Sequence, residues 1–273
     1  VGKPNVIVDG YNSPHGFSLK PSHAKMLENA DLVIWVGEGL EAFLEKPLET
    51  IAKKAKNVEI MDLKKIKKLK FREKNIFEEY DDHKGHDDHK GHDDHKEKDG
   101  HEGHHHGEHD PHVWLDPINA KVIIKEITKQ LVQLDSKNSS TYKSNSKKAL
   151  ANIDKLVKDI KNDLSKNLRF VVFHDAYQYF ENRFGIQILG ALTVNTDVMP
   201  GAEQLSEIRE VIEHENVNCL FSEPQFNPAI IKSIAKDTNV KTGVLDPLGA
   251  KLDSGKNLYF DLLRNMASSF KGC

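Results

Sequence analysis

Asp31-Leu32-Val33-Ile34-Trp35-Val36-Gly37 is a run of five consecutive apolar residues bounded by an acid and a glycine. The run is too short for a typical helix. Its lack of alternation predicts a strand buried on both faces of a parallel sheet. Upstream, Asn5-Val6-Ile7-Val8 predicts a short strand ending at Asp9-Gly10, and Ser22 predicts the N-cap of a helix through Ala30. Downstream, a helix over residues 41–56 is divided by Pro47, and a further strand covers 57–61.

From Pro117 the apolar spacing becomes helical, through Val122, Ile123, Ile127, Leu131 and Leu134. A break over 135–140 precedes a second stripe of Leu150, Ile153, Leu156, Val157, Ile160 and Leu164. The remainder returns to alternation. Strands are expected over 169–173, 186–189, 218–221 and 242–245, with helices over 176–183, 202–215, 228–238 and 258–270. The predicted class is α/β, with two lobes of parallel-rich sheets flanked by helices and joined by a long rigid connector helix. The expected boundaries are 1–135 for the N-terminal lobe, 136–166 for the connector and 167–273 for the C-terminal lobe. Ligands of such folds bind in the cleft between lobes, at the carboxyl ends of strands.

The chain has 273 residues, a formal net charge of −3 and 15 histidines. A near-neutral balance gives no case for nucleic-acid binding, and no apolar run is long enough to span a membrane. Ten of the 15 histidines fall within residues 81–110, a segment of Asp, His, Lys, Gly and Glu alone. It lies within the N-terminal lobe and predicts a disordered insert. Its repeats place His83, His86, His89, His92 and His95 at three-residue intervals, followed by His101, His104, His105, His106 and His109. Imidazoles interleaved with carboxylates predict several weak, exchanging metal sites.

Five histidines remain. His15 follows a predicted strand, His112 lies in Asp110-Pro111-His112-Val113-Trp114-Leu115-Asp116-Pro117, and His174 ends the strand of Val171-Val172-Phe173. These three are candidate ligands. His23, just inside a helix start, and His214, on a charged helix face, read as structural. Cys219 and Cys273 are too far apart for a CxxC motif; composition alone leaves two thiols or one disulfide open.

Several segments carry a resemblance: Ser13-Pro14-His15 with Leu19-Lys20-Pro21-Ser22, Ala30 to Gly37, His112-Val113-Trp114-Leu115, Phe173-His174-Asp175-Ala176-Tyr177, Glu223-Pro224-Gln225-Phe226 and Leu245-Asp246-Pro247-Leu248-Gly249. In their order and content the chain resembles the zinc branch of the metal-binding cluster of solute-binding proteins. Members of that branch are periplasmic components of bacterial high-affinity zinc ABC importers. The resemblance implies that His15, His112 and His174 ligate Zn2+ between the lobes, with Asp246 at the position where manganese-binding relatives place a carboxylate. Histidine at all three positions suits zinc, whereas a manganese or iron site would replace one with a carboxylate.

The same resemblance implies a Cys219–Cys273 disulfide, a periplasmic monomer, and partnership with a permease and an ATPase. It also places Asn5 beyond the family's first strand and helix, as in a chain truncated at its N-terminus or freed of a leader. Pro14 stands where some members have an acidic ligand before the first histidine. Two other readings are a zinc-buffering or adhesin-like protein without a transport role. An enzyme is not expected, because neither an HExxH helix nor a GxSxG elbow is present.

Overall fold

In a computed structural model of the chain, the apolar run after Asp31 forms β1 (Leu32–Trp35), paired in parallel with β2 (Lys56–Glu59). The structure describes residues 1–77, 108–164, 168–194, 196, 198 and 200–273, so the predicted insert lies outside the described residues up to position 107. Burial along β1 alternates: Val33 and Trp35 are inside, while Ile34 is 36% exposed. The expected burial on both faces is thereby corrected. One face packs on Leu27, Leu44, Leu48 and Ala52, and among the described residues this sheet has two strands.

Three local expectations also change. Residues 5–8 form no strand; Ile7 packs against the cluster under β1 while Val6 faces solvent. A short apolar run becomes a strand only where a neighbour offers a ladder. Helix α1 (Pro21–Glu28) is N-capped by Lys20 rather than Ser22, with Pro21 at its first position. The Lys20 N–H donates to His23 Nδ1 at 3.2 Å, which gives His23 its structural role. The helix expected over 41–56 becomes α2 (Glu38–Glu41), a 3-10 turn (Ala42–Leu44) and α3 (Glu45–Thr50). Pro47 sits in the first turn of α3, where its missing N–H costs no intrahelical bond, so the break precedes it.

Helix α4 (Pro117–Leu134) is capped by Asp116, whose carboxylate accepts the Ile118 N–H at 2.8 Å. A 3-10 turn (Ser136–Asn138) leads to α5 (Ser139–Asp163), 25 residues and about 37 Å long. The predicted stripe buries Ile153, Leu156 and Ile160, and α5 packs on α4 and on α9 (Leu258–Gly272).

The larger sheet runs β4-β3-β5-β6, all parallel: β3 (Arg169–His174), β4 (Gln187–Thr193), β5 (Cys219–Ser222) and β6 (Lys241–Val244). Helices α6 (Gln178–Phe184), α7 (Ala202–His214) and α8 (Ala229–Thr238) connect successive strands. Phe170, Phe221 and Phe270 pack one face, while Val171, Phe173 and Leu220 meet Ile208, Ile231 and Ile234 on the other. Strand β4 extends beyond the predicted Leu189. On its edge Ala191 N–H donates to Asn75 O and Phe77 N–H to Leu189 O, both at 2.8 Å. Gly190 permits that approach, since a Cβ there would stand 2.7 Å from the Asn75 carbonyl. The disulfide joins Cys219, at the start of β5, to Cys273 beyond α9.

Candidate metal centre

His174 is the last residue of β3, so its side chain emerges at the carboxyl edge of the larger sheet. His112 is the N-cap of a 3-10 turn (Val113–Leu115) that lies between the predicted insert and α4. His15 belongs to the loop ahead of α1. Positions 97 and 62 residues apart in sequence thus converge: His112 Nε2 lies 3.3 Å from His15 Nε2 and 3.4 Å from His174 Nε2. Tetrahedral zinc with Zn–N bonds of about 2.0–2.1 Å holds neighbouring nitrogens about 3.3–3.4 Å apart. A proton can bridge one pair of nitrogens, but a cation suits three at once. Among the described residues these three histidines form the group able to hold a metal ion.

Two of the three are oriented by buried carboxylates through their other ring nitrogen. Asp110 Oδ1 lies 2.7 Å from His112 Nδ1, and Glu223 Oε1 lies 2.8 Å from His174 Nδ1. With the proton on Nδ1 donated to the carboxylate, each Nε2 lone pair is left for a metal. Burial drives His112 well below the usual histidine range, and His174 nearby adds to this. Burial also pulls on His174, but the Glu223 carboxylate, with Asp175 and Asp110, prevails and raises it. Asp110 is pushed up to about 7 by burial, against the pull of the His112 backbone N–H.

The site is enclosed unevenly. Trp114, Phe226, Pro247 and Leu248 close one side around a pocket of 10 Å³, room for about one water. The other side opens to a 500 Å³ cavity lined by Lys70, Phe71, Arg72, Glu108 and Thr196. Helix α6 fastens this region. Tyr179 OH donates to Asp110 O and accepts the Leu69 N–H, Glu181 pairs with Arg72 at 2.5 Å, and Arg183 grips both oxygens of Asp116. Arg72 also pairs with Asp175, the neighbour of His174, at 3.0 Å.

Of the residues singled out in sequence, His15, His112 and His174 are brought together. Asp246 is not: its Oδ1 accepts from the Leu248 and Gly249 N–H groups and Gln225, and its Oδ2 from the Ala250 N–H. His109 lies apart from the trio, its backbone bridged to Lys70. The weak-site candidates His83, His86, His89, His92, His95, His101, His104, His105 and His106 lie outside the described residues. The predicted extent of the insert is corrected at its end, because Asp110 is fully buried and part of the centre. Its signal was legible in outline: an acid two residues before a candidate histidine, across a proline, is turn chemistry. Nothing local marks Arg72.

The chain matches, over residues 1–273, the family described as the periplasmic zinc-uptake complex component A. It belongs to the ZnuA family. High-affinity zinc uptake system protein ZnuA of Brucella abortus (strain 2308) is 46% identical over 285 aligned residues, covering 100% of this chain and 85% of that protein. The Yersinia pestis protein of the same name is 38% identical over 264 residues, covering 96% and 81%. A crystal structure of ZnuA superposes with a TM-score of 0.75 at 23% identity, covering 98% of this chain and 88% of that one. That likeness supports the parallel-sheet α/β fold. Family membership makes this a zinc-binding component of zinc uptake, with three histidines positioned to hold the ion. No helix among the described residues is long and apolar enough to cross a membrane.

Proposed function

We propose that this chain captures Zn2+ outside the cytoplasm, in the periplasm, and delivers it as a monomer to the permease and ATPase of an ABC importer. His15, His112 and His174 are its protein ligands, and the fourth position is left to a water. The observation that carries this reading is the convergence of three Nε2 atoms at tetrahedral spacing, two of them backed by buried carboxylates. The all-nitrogen set favours zinc over manganese, which prefers oxygen. The occupied oxygens of Asp246 favour it further. A disulfide suits an oxidising compartment. The chain acts as two lobes about α5, and as a carrier with no chemistry of its own.

The test is zinc and manganese titration of the purified chain against a competing chelator, with stoichiometry from elemental analysis. One tight zinc per chain, far tighter than manganese, is expected. Equal affinity for the two metals, or no tight site, refutes the reading. Ester and peptide hydrolysis by the zinc-loaded protein should match the buffer blank.

A further inference from the structure

The three histidines are held in unequal ways. His112 and His174 sit on segments that α6 clamps together, through Tyr179 on Asp110 and Leu69, Glu181 on Arg72, and Arg183 on Asp116. That pair is a fixed unit. His15 sits on a loop braced by local hydrogen bonds: the Tyr11 N–H and Asn12 Nδ2 donate to Asp9 Oδ1, and the His15 N–H donates to Ser13 Oγ.

The loop is tied to the C-terminal half at Gln225. Gln225 Nε2 donates to the Gly10 carbonyl at 2.6 Å and to Asp246 Oδ1 at 3.0 Å. Asp246 in turn gathers the N–H groups of Leu248, Gly249 and Ala250 and so sets the turn against which the loop rests. The approach is close: a Cβ on Gly10 would stand 2.8 Å from Ala250 Cα and 2.9 Å from Ala250 N, backbone atoms that cannot swing aside. Ser13, Pro14 and His15 of the loop and Gln225 then line the closed side of the site together with Trp114 and Pro247.

We infer that Gln225 is a latch. It holds the His15 loop shut over a preformed His112–His174 pair, and zinc leaves when the loop lifts, without separation of the lobes. Asp246, at the position of a metal-ligating carboxylate in related proteins, serves here as the anchor of the latch. This inference rests on the proposed zinc site. It makes Gln225 a positioning residue whose loss shortens the residence of the metal. Association with the fixed pair is left nearly unchanged.

The experiment is stopped-flow kinetics on the full chain. Zinc dissociation is followed by chelator chase and association by rapid mixing, for the wild type, Gln225→Ala and Gly10→Ala. Removal of the Gln225 hydrogen bonds should raise the dissociation rate about five- to tenfold, with the association rate within about twofold. Gly10→Ala, which pushes the loop off Ala250 by a different route, should do the same. Circular dichroism and the thermal midpoint of each metal-free variant establish that it is folded. Wild-type dissociation rates in both folded variants overturn the latch, as does a loss confined to association. A wild-type chain without a tight zinc site instead overturns the underlying functional reading, so the two failures are distinct.

Discussion

The carboxylate of Asp110 accepts two hydrogen bonds from His112 through the same oxygen, at 2.9 Å from the backbone N–H and 2.7 Å from Nδ1. Its other oxygen, Oδ2, is buried without a protein partner. The aspartate therefore fixes both the turn that carries the ligand and the ring itself. Asp110→Asn keeps an acceptor but removes the charge that favours the Nδ1 proton and a cation at Nε2. Zinc affinity should fall about 10- to 100-fold in a competition titration. His112→Ala, which deletes the ligand, should cost several orders of magnitude. An Asp110→Asn chain with wild-type affinity would show that the orientation of His112 is set elsewhere.

The buried position of Asp110 also divides two deletions that the sequence treats alike. Removal of residues 81–107 should abolish weak zinc binding and leave one tight site at wild-type affinity. Removal of residues 81–110 should weaken the tight site by at least as much as Asp110→Asn, because it takes away the carboxylate that orients His112. Calorimetric titration resolves the two classes of site. Identical tight-site affinity in the two deletions would contradict the role assigned to Asp110.

Zinc requires bare Nε2 atoms, so protons compete with it. His112 is held neutral by burial, whereas Glu223 and its acidic neighbours raise His174 above the ordinary value of 6.5. Of these two, His174 is therefore the one that protonates first on acidification. Affinity should be flat above the raised His174 value and fall about tenfold per pH unit below it. Glu223→Gln removes the charge that holds His174 up, so the onset of the fall should move to lower pH even as affinity at neutral pH declines. Chelator competition from pH 8 to pH 5 measures both. An onset that stays in place in Glu223→Gln would refute this assignment.

Cys219 and Cys273 close a loop of 54 residues in sequence, at the end of β5 remote from Glu223. In the chain-entropy account such a crosslink stabilises the fold by about 4 kcal/mol. Reduction, or a Cys273→Ser chain, should lower the denaturant midpoint accordingly while leaving zinc affinity under native conditions unchanged. A parallel loss of affinity would mean that the constraint reaches the metal centre.

Much of the fold was legible because it follows from periodicity. The stripe of Ile153, Leu156 and Ile160 could belong only to a helix with one buried face, and α5 has that face. The apolar runs at Val171 and Leu220 could be buried on both sides only within a covered parallel sheet, where β3 and β5 lie. The same reasoning failed for Ile34, as apolar as its neighbours, because exposure of one face of β1 depends on what packs there and not on the residue. It failed for residues 5–8 because a strand exists only with a partner.

The three proposed metal ligands were legible for a different reason. Outside the insert histidine is scarce, and three of the five remaining stand at strand ends and turns. Sequence by itself thus determined the α/β class and the long helix, and singled out the three imidazoles that the structure brings together. Tertiary structure alone decided which of 42 acidic residues serve them, since Asp110 and Glu223 are chemically the same as carboxylates on the surface until burial and a 2.7–2.8 Å contact set them apart. It also decided that Asp246 anchors a turn and that His15 rides on a separately latched loop. Those facts depend on distances between residues up to 215 positions apart in the chain, and no local pattern encodes them.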